Sequence, residues 1–271
     1  MDKSINEKFE RLKEIFQSMG KVVVAFSGGV DSTLLLKVAR DALGDNNVLA
    51  VTALSPLYPE RELGEAKKSI ETLGVRHRLI QSNELEIPGF SKNPPNRCYY
   101  CKDKLFRELK DLTKEEAISF VVEGSTLDDD KDHRPGRVAI QELGIRSPLK
   151  EALFTKIEVR KLSKRLGLPT WDKPSFACLA SRFPYGEEIT EEALRMVDAA
   201  EDFLFGLGFK QVRVRHYGNL ARIEILKEEM TRLMNGSLRE KVVNHLKKIG
   251  YRYITLDLQG FRSGSMNEVL G

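Results

Sequence analysis

The chain has 271 residues, enough for one large domain or two smaller ones. With 41% hydrophobic and 31% charged residues it has an ordinary globular composition, and its net charge of +4 permits anionic small substrates without demanding nucleic acid. No apolar stretch reaches membrane-spanning length, and the N-terminal MDKSINEKFERLKEIFQSMG reads as an amphipathic helix and not a signal peptide, so a cytoplasmic protein without a membrane segment is expected.

A first strand pattern covers Lys21 to Ala25. It runs into Ser27-Gly28-Gly29-Val30-Asp31-Ser32 and then into a helical pattern from Ser32 to Leu43. Two glycines let the backbone curl close to an anion. Ser27, Ser32 and Thr33 offer hydroxyl donors, and the first N–H groups of the helix point at the same spot. This is a phosphate cradle. It lacks the spacing and lysine of G-x-x-x-x-G-K-[ST], and it is not a G-x-G-x-x-G fingerprint.

Further strand patterns lie at Val48 to Ala53, His77 to Gln81 and Ile118 to Glu123. Helical patterns separate them at Pro59 to Leu73 and Tyr99 to Leu112. Such alternation predicts an α/β fold with a parallel sheet and its ligand beyond the carboxyl ends of the strands. Thr52-Ala53-Leu54-Ser55 and Gly124-Ser125-Thr126, after the second and fourth strands, read as adenosine contacts or as routine strand-end turns. An acidic turn, Asp128 to Gly136, follows the fourth strand. It reads as solvated or, through Asp129, as a magnesium or substrate contact.

Helix breakers fill Ile87 to Asn96, and a second loop spans Lys173 to Gly186. From Thr190 the character changes. A capped helix ends near Gly206 or Gly208, and Gln211 to His216 and Ala221 to Ile225 alternate as two strands around Tyr217-Gly218-Asn219. Two more helical patterns and a strand near Arg252 to Leu256 follow. A first domain over 1–185 and a smaller α+β domain over 186–271 are expected. The N-terminal helix and exposed strands suit assembly into a homo-oligomer.

Three cysteines in such a chain argue against a disulfide framework. Cys98-x₂-Cys101 has a common metal-ligand spacing, and Cys178 lies in the loop PSFACLASRFPYG. If that loop folds over the same face, three thiolates converge. Three readings stand: a [4Fe–4S] cluster, zinc with a fourth ligand such as His133, or Cys178 as a lone nucleophile. Arg97, Lys102, Lys104 and Arg182 nearby would favour thiolates. Arg213 and Arg215 alternate onto one strand face, where two guanidiniums suit a mononucleotide phosphate or form a solvated face.

The loop SGGVDS resembles the PP-loop of ATP pyrophosphatases, which split ATP into AMP and pyrophosphate. The resemblance makes Asp31 a Mg²⁺ ligand or the partner of a neighbouring donor, because an acid aimed at bare phosphates would repel them. Together with STLDDDKDHRPG, PSFACLASRFPYG and RVRHYGNLARIE, the loop resembles the LarE family across nearly the whole chain. Those ATP-dependent sulfurtransferases act on pyridinium-3,5-biscarboxylic acid mononucleotide, in building the nickel-pincer nucleotide cofactor of lactate racemase.

The resemblance implies adenylation of a carboxylate on a nicotinate-derived mononucleotide, then attack by sulfur. Ala25, Ser27, Gly28, Gly29, Asp31, Ser32, Ala53, Gly124 and Asp129 would bind ATP and Mg²⁺. Cys178, Asp31, Arg213 and Arg215 would be catalytic, with Ser181, Glu201 and Glu224 near the substrate and metal site. Three cysteines resemble the cluster-dependent type, in which Cys98, Cys101 and Cys178 hold [4Fe–4S] and an outside sulfide donor recharges it. Sacrificial transfer from Cys178 is the alternative. A tRNA thiolase, an amide-forming PP-loop ligase and a zinc-stabilised nucleotide-binding module are the rivals.

Overall fold

The computed structural model describes residues 3–131, 135–174, 176–262 and 264–270. His133, the expected fourth zinc ligand, lies outside them. The chain forms two compact units: Met1–Ser55, Glu62–Ser82 and Asn96–Phe176 make the first, and Pro56–Arg61, Asn83–Pro95 and Ala177–Gly271 the second.

The first unit runs α1 (Lys3–Met19), β1 (Val22–Ala25), α2 (Val30–Leu43), β2 (Val48–Leu54), α3 (Glu60–Leu73), β3 (Arg76–Gln81), α4 (Arg97–Glu115), β4 (Phe120–Val122), α5 (Gly136–Glu142), α6 (Pro148–Glu151) and α7 (Lys156–Arg165). The strands form a parallel sheet in the order β3-β2-β1-β4. Both faces are covered, which is why β1 is apolar at every position. Val22, Val24, Val48 and Ala50 share a core with Leu12, Phe16 and Leu34. Val23, Leu49 and Val51 pack with Phe106, Leu109 and Ile140 on the other side. Chain order reverses at β1, with β2 on one side and β4 on the other. That is a topological switch point, where α/β sheets place ligands.

Three elements depart from the sequence expectation. Helix α2 begins at Val30, two residues before Ser32, because the Gly29 carbonyl already accepts the Thr33 N–H at 3.0 Å. Strand β4 is shorter than 118–123. The Ile118 N–H closes α4 on the Thr113 carbonyl at 2.9 Å, and the Glu123 N–H goes to Arg146 at 3.0 Å. Helix α4 starts at Arg97 and not at Tyr99, so Cys98 and Cys101 stand in its first turns and not in a loop. Pro94-Pro95-Asn96 is the lead-in to a helix, with Tyr99 N–H on the Asn96 carbonyl at 2.9 Å.

The second unit holds α8 (Glu191–Gly206), β5 (Val212–Tyr217), β6 (Leu220–Ile225), α9 (Met230–Leu233), α10 (Gly236–Ile249) and β7 (Tyr253–Leu256). Thr190 caps α8, accepting the Ala193 N–H at 3.2 Å. Strands β5 and β6 are antiparallel, and β7 joins β6 in parallel. Val212, Val214, Ala221, Ile223 and Ile225 share a core with Ala200, Leu204 and Leu246. The longest segment of this unit starts at Ala177. The Leu179 N–H binds Leu57 at 2.8 Å, and Arg182 pairs with Glu201 of α8, tying the cysteine loop to the second unit.

The tightest backbone approach is at Gly28, whose φ is +70° and whose Cβ, if present, would lie 2.8 Å from the Ala66 Cβ. Gly28→Ala is expected to cost about 1–2 kcal/mol from the left-handed backbone alone, with more from the clash against α3. Gly29→Ala, with φ −80° and Ser27 Oγ at 3.5 Å, is expected to be near neutral for stability. Urea unfolding of the two variants checks this contrast.

Candidate functional site

In the first unit the site is the turn between β1 and α2. Gly28 swings the chain back and Gly29 begins α2 with no side-chain cap, leaving its first N–H groups turned toward the cradle. Ser32 braces the turn. Its hydroxyl donates to the Gly29 carbonyl at 3.2 Å, accepts the Ser27 N–H at 3.3 Å and lies 3.2 Å from Ser27 Oγ. Thr52 donates to the Phe26 carbonyl at 3.0 Å and lies 3.0 Å from His77 Nε2, anchoring the end of β1 to β2 and β3. Gly124 follows β4 beside this turn. A Cβ there would sit 3.2 Å from both the Asp31 Cβ and the Ser32 N, so a side chain would press on the first turn of α2.

Asp31 stands in the first turn of α2, held by the Lys156 ammonium on Oδ2. Its Oδ1 is buried with no hydrogen-bond partner among the described residues. Burial pushes the carboxyl up. Lys156 opposes that shift, and the neighbouring Asp129 carboxylate reinforces it. An orphaned carboxylate oxygen beside a phosphate cradle fits a Mg²⁺ ligand.

The acidic turn is engaged locally. Asp129 Oδ2 accepts from Thr126 N at 2.7 Å and Thr126 Oγ1 at 3.1 Å, and Asp128 Oδ2 accepts the Lys156 N–H at 2.6 Å. Ala53 pairs with Ile80 at the end of β2. Ala25 closes β1 with its methyl against the α4 side of the core.

Cys98 and Cys101 are three residues apart on α4, so both thiols lie on one helix face, Cys98 exposed and Cys101 half-buried. They belong to the first unit, Cys178 to the second. Among the described residues no three His, Cys, Asp or Glu side chains stand together as a metal-ligand set.

Cys178 opens a single 3-10 turn, Leu179–Arg182, and is half-buried. Arg182 is fully buried beneath it. One guanidinium nitrogen donates to the carbonyls of Ala177 at 2.5 Å and Cys178 at 3.0 Å and to Ser181 Oγ at 2.9 Å. The other nitrogens grip Glu201 at 2.8 and 2.7 Å, and Glu201 also accepts the Val214 N–H at 2.9 Å. Arg215 holds the same turn at the Ser181 carbonyl, 2.7 Å away, while binding Glu224 bidentately at 3.0 and 2.8 Å and Ser265 at 2.8 Å. The cysteine turn is thus bolted to α8, β5 and β6 by two charge-assisted clamps.

Arg213 and Arg215 are both buried, which rules out a solvated strand face. Arg213 donates to the Val212 carbonyl at 2.8 Å and lies over Phe261. Burial pushes its guanidinium down to about 10, and the like charges of Arg182 and Arg215 add to the fall. Arg182, Arg213 and Arg215 share a buried cluster with the carboxylates of Glu201 and Glu224.

A family model described as NAD synthase matches residues 4–89, which include the phosphate turn. An uncharacterised protein of Synechocystis is 46% identical over 98% of this chain and 99% of its own length. Pyridinium-3,5-bisthiocarboxylic acid mononucleotide synthase of Lactiplantibacillus plantarum is 40% identical over 94% of this chain and 91% of its own length. The chain belongs to that synthase family. It is an ATP-dependent enzyme of PP-loop type. No helix among the described residues is long and apolar enough to cross a membrane.

Family likeness had marked Glu201 and Glu224 for the substrate and metal site, and the structure engages both with arginines. The sequence reading gave no role to Lys156 or Lys173. Lys173 reaches the Gly28 carbonyl at 3.2 Å and the carboxylates of Glu62 and Glu65 at 2.8 and 2.6 Å, pinning the phosphate turn to α3. The one local cue was the Thr155-x-x-Glu158 capping box that sets Lys156 at a helix start.

Glu201→Gln is expected to lower stability by about 3–5 kcal/mol, because it strands the buried Arg182 charge. The pair Arg182→Met with Glu201→Leu is expected to lose much less, and denaturant unfolding of both variants measures the difference. Arg213→Met is expected to raise the thermal midpoint at pH 7. Burial holds the folded guanidinium down at about 10, below its ordinary value. The folded state therefore holds that proton less firmly, and the charged group opposes folding until the pH passes through that window. An unchanged or lowered midpoint would contradict this account.

Proposed function

We propose that this chain is an ATP-dependent sulfurtransferase. It adenylates the carboxylates of a pyridinium biscarboxylate mononucleotide and converts them to thiocarboxylates, in the biosynthesis of the nickel-pincer nucleotide cofactor of lactate racemase. The observation that carries this reading is a clamped cysteine turn flanked by a cationic, buried Arg213 in a chain that also bears a PP-loop. A relative covering nearly the whole chain is named for the bisthiocarboxylate product.

The residues divide the labour. The uncapped start of α2, with Ser27, Gly28, Gly29 and Ser32, would receive the pyrophosphate of ATP. Asp31 would hold Mg²⁺, which when bound offsets phosphate charge. Ala25, Ala53, Gly124 and Asp129 would border the nucleotide. A substrate carboxylate oxygen attacks the α-phosphorus, and the bond to the pyrophosphate breaks. The acyl-adenylate exposes a reactive carbonyl, sulfur adds there, and the bond to AMP breaks. Arg213 and Arg215 would seat the mononucleotide phosphate.

Three cysteines in one chain support a [4Fe–4S] cluster on Cys98, Cys101 and Cys178. Its chemistry when bound is delivery of sulfide from an open iron, with an outside sulfide donor restoring it. The clamped Cys178 turn favours the second reading, transfer of the cysteine's own sulfur. There Sγ attacks the acyl-adenylate to give a thioester and AMP. Loss of the Cα proton then expels the thiocarboxylate by Cβ–S cleavage and leaves dehydroalanine.

Cys178→Ser is expected to abolish thiocarboxylate formation while retaining substrate-dependent ATP–pyrophosphate exchange. Loss of both together would point away from a role for Cys178 after adenylation. Anaerobic iron and sulfide analysis, paired with Cys98→Ala, separates the sulfur sources. About four irons per chain and an inactive variant support the cluster. An active variant whose mass falls by one H₂S per turnover supports Cys178 alone.

A further inference from the structure

The PP-loop aspartate is met by a cation from a distant helix, and that cation is the feature the adenylation scheme leaves without a role. Lys156 opens α7, and its ammonium rests on Asp31 Oδ2 across 125 positions of sequence. Its backbone is fixed independently of that contact. The Lys156 N–H binds Asp128 at 2.6 Å. Thr155 and Glu158 close a capping box around it, with Glu158 in turn held by Lys8 at 2.7 Å. The main chain stays put while a four-carbon stem remains able to swing.

The neighbouring cations are otherwise engaged. Arg160, one turn on along the same face of α7, donates to the carbonyls of Trp171 at 2.9 Å and Lys173 at 2.7 Å. Lys173 is shared among Gly28, Glu62 and Glu65. Among the described residues the Lys156 side chain is held by Asp31, and both groups keep contact with solvent, at 30% and 24% side-chain exposure. Their separation therefore does not require stripping a charge in a dry interior.

Asp31 has reason to need a cation at all times. Asp129 repels it, burial disfavours its charge, and its Oδ1 is buried without a partner. A polyphosphate arriving at the cradle would add further repulsion unless the metal it carries took the carboxylate. An ammonium released at that moment lies within side-chain reach of the new negative charge.

We propose that Lys156 is the exchangeable cation of the phosphate site. It neutralises Asp31 in the nucleotide-free protein, yields that carboxylate to the divalent metal entering with ATP, and moves its ammonium onto the phosphate oxygens. This rests on the ATP-using reading above. It adds a substrate-contacting residue and an order of events to it.

The test compares the full-length wild type with Lys156→Met and Lys156→Arg, using Mn²⁺ alone, ATP with Mg²⁺, and AMP as probes in calorimetry and Mn²⁺ electron paramagnetic resonance. With the competing ammonium gone, Lys156→Met is expected to bind Mn²⁺ alone about tenfold tighter and ATP with Mg²⁺ about tenfold weaker, each near 1.4 kcal/mol, with AMP unchanged. Asp31→Asn is expected to remove the Mn²⁺ gain. Lys156→Arg, bidentate on Asp31, is expected to weaken both Mn²⁺ and ATP binding. Mn²⁺ affinity unchanged or lowered in Lys156→Met, with ATP and AMP weakened together, would overturn the proposal and make Lys156 structural. If the wild type binds ATP and Lys156→Met matches it for every probe, the proposal alone fails. If the wild type binds no ATP, the ATP-using reading fails and takes the proposal with it.

Discussion

A buried guanidinium must find counter-charge or leave its burial uncompensated. In the second unit that constraint organises the ground around Cys178. Arg182 and Arg215 reach their carboxylates on α8 and β6, and each has donors left over for the 178–182 turn. The turn has no regular structure of its own beyond one 3-10 turn. Its position is inherited from two ion pairs that are themselves fixed by the helix and sheet. A cysteine held this way presents its sulfur in one place, which a group-transfer step needs.

The PP-loop was legible because its demands are local. A left-handed glycine, a second glycine, hydroxyls and a helix start all fall within six residues, and the structure uses each where the sequence puts it. The parallel sheet was legible for a similar reason, since strands covered on both faces advertise themselves as unbroken apolar runs. What escaped was non-local. Val212-Arg213-Val214-Arg215-His216 alternates like a half-exposed strand, and nothing within it reveals that Glu201 and Glu224 cover the polar face. Lys156 and Lys173 meet the loop from 125 and 145 residues away. Cys98 falls outside the helix expected from Tyr99 because Pro94-Pro95 reads as a breaker, although prolines just before a helix are compatible with its first turn.

The two units place their cations differently, and the difference follows from residue chemistry. Where a carboxylate must stay paired, the chain uses arginine: planar, bidentate and buried, as in Arg182 on Glu201 and Arg215 on Glu224. At the phosphate turn the cation is a lysine, a compact charge on a flexible stem at a partly buried site, as in Lys156 on Asp31, and this suits the partner exchange proposed above. Arg213 stands between these cases. It has the arginine fork and the burial, and that burial depresses its guanidinium to about 10, with Arg182 and Arg215 adding to the fall. A phosphate seated beside it would favour the charged form that burial disfavours, so the cost carried by the empty fold would be offset on binding.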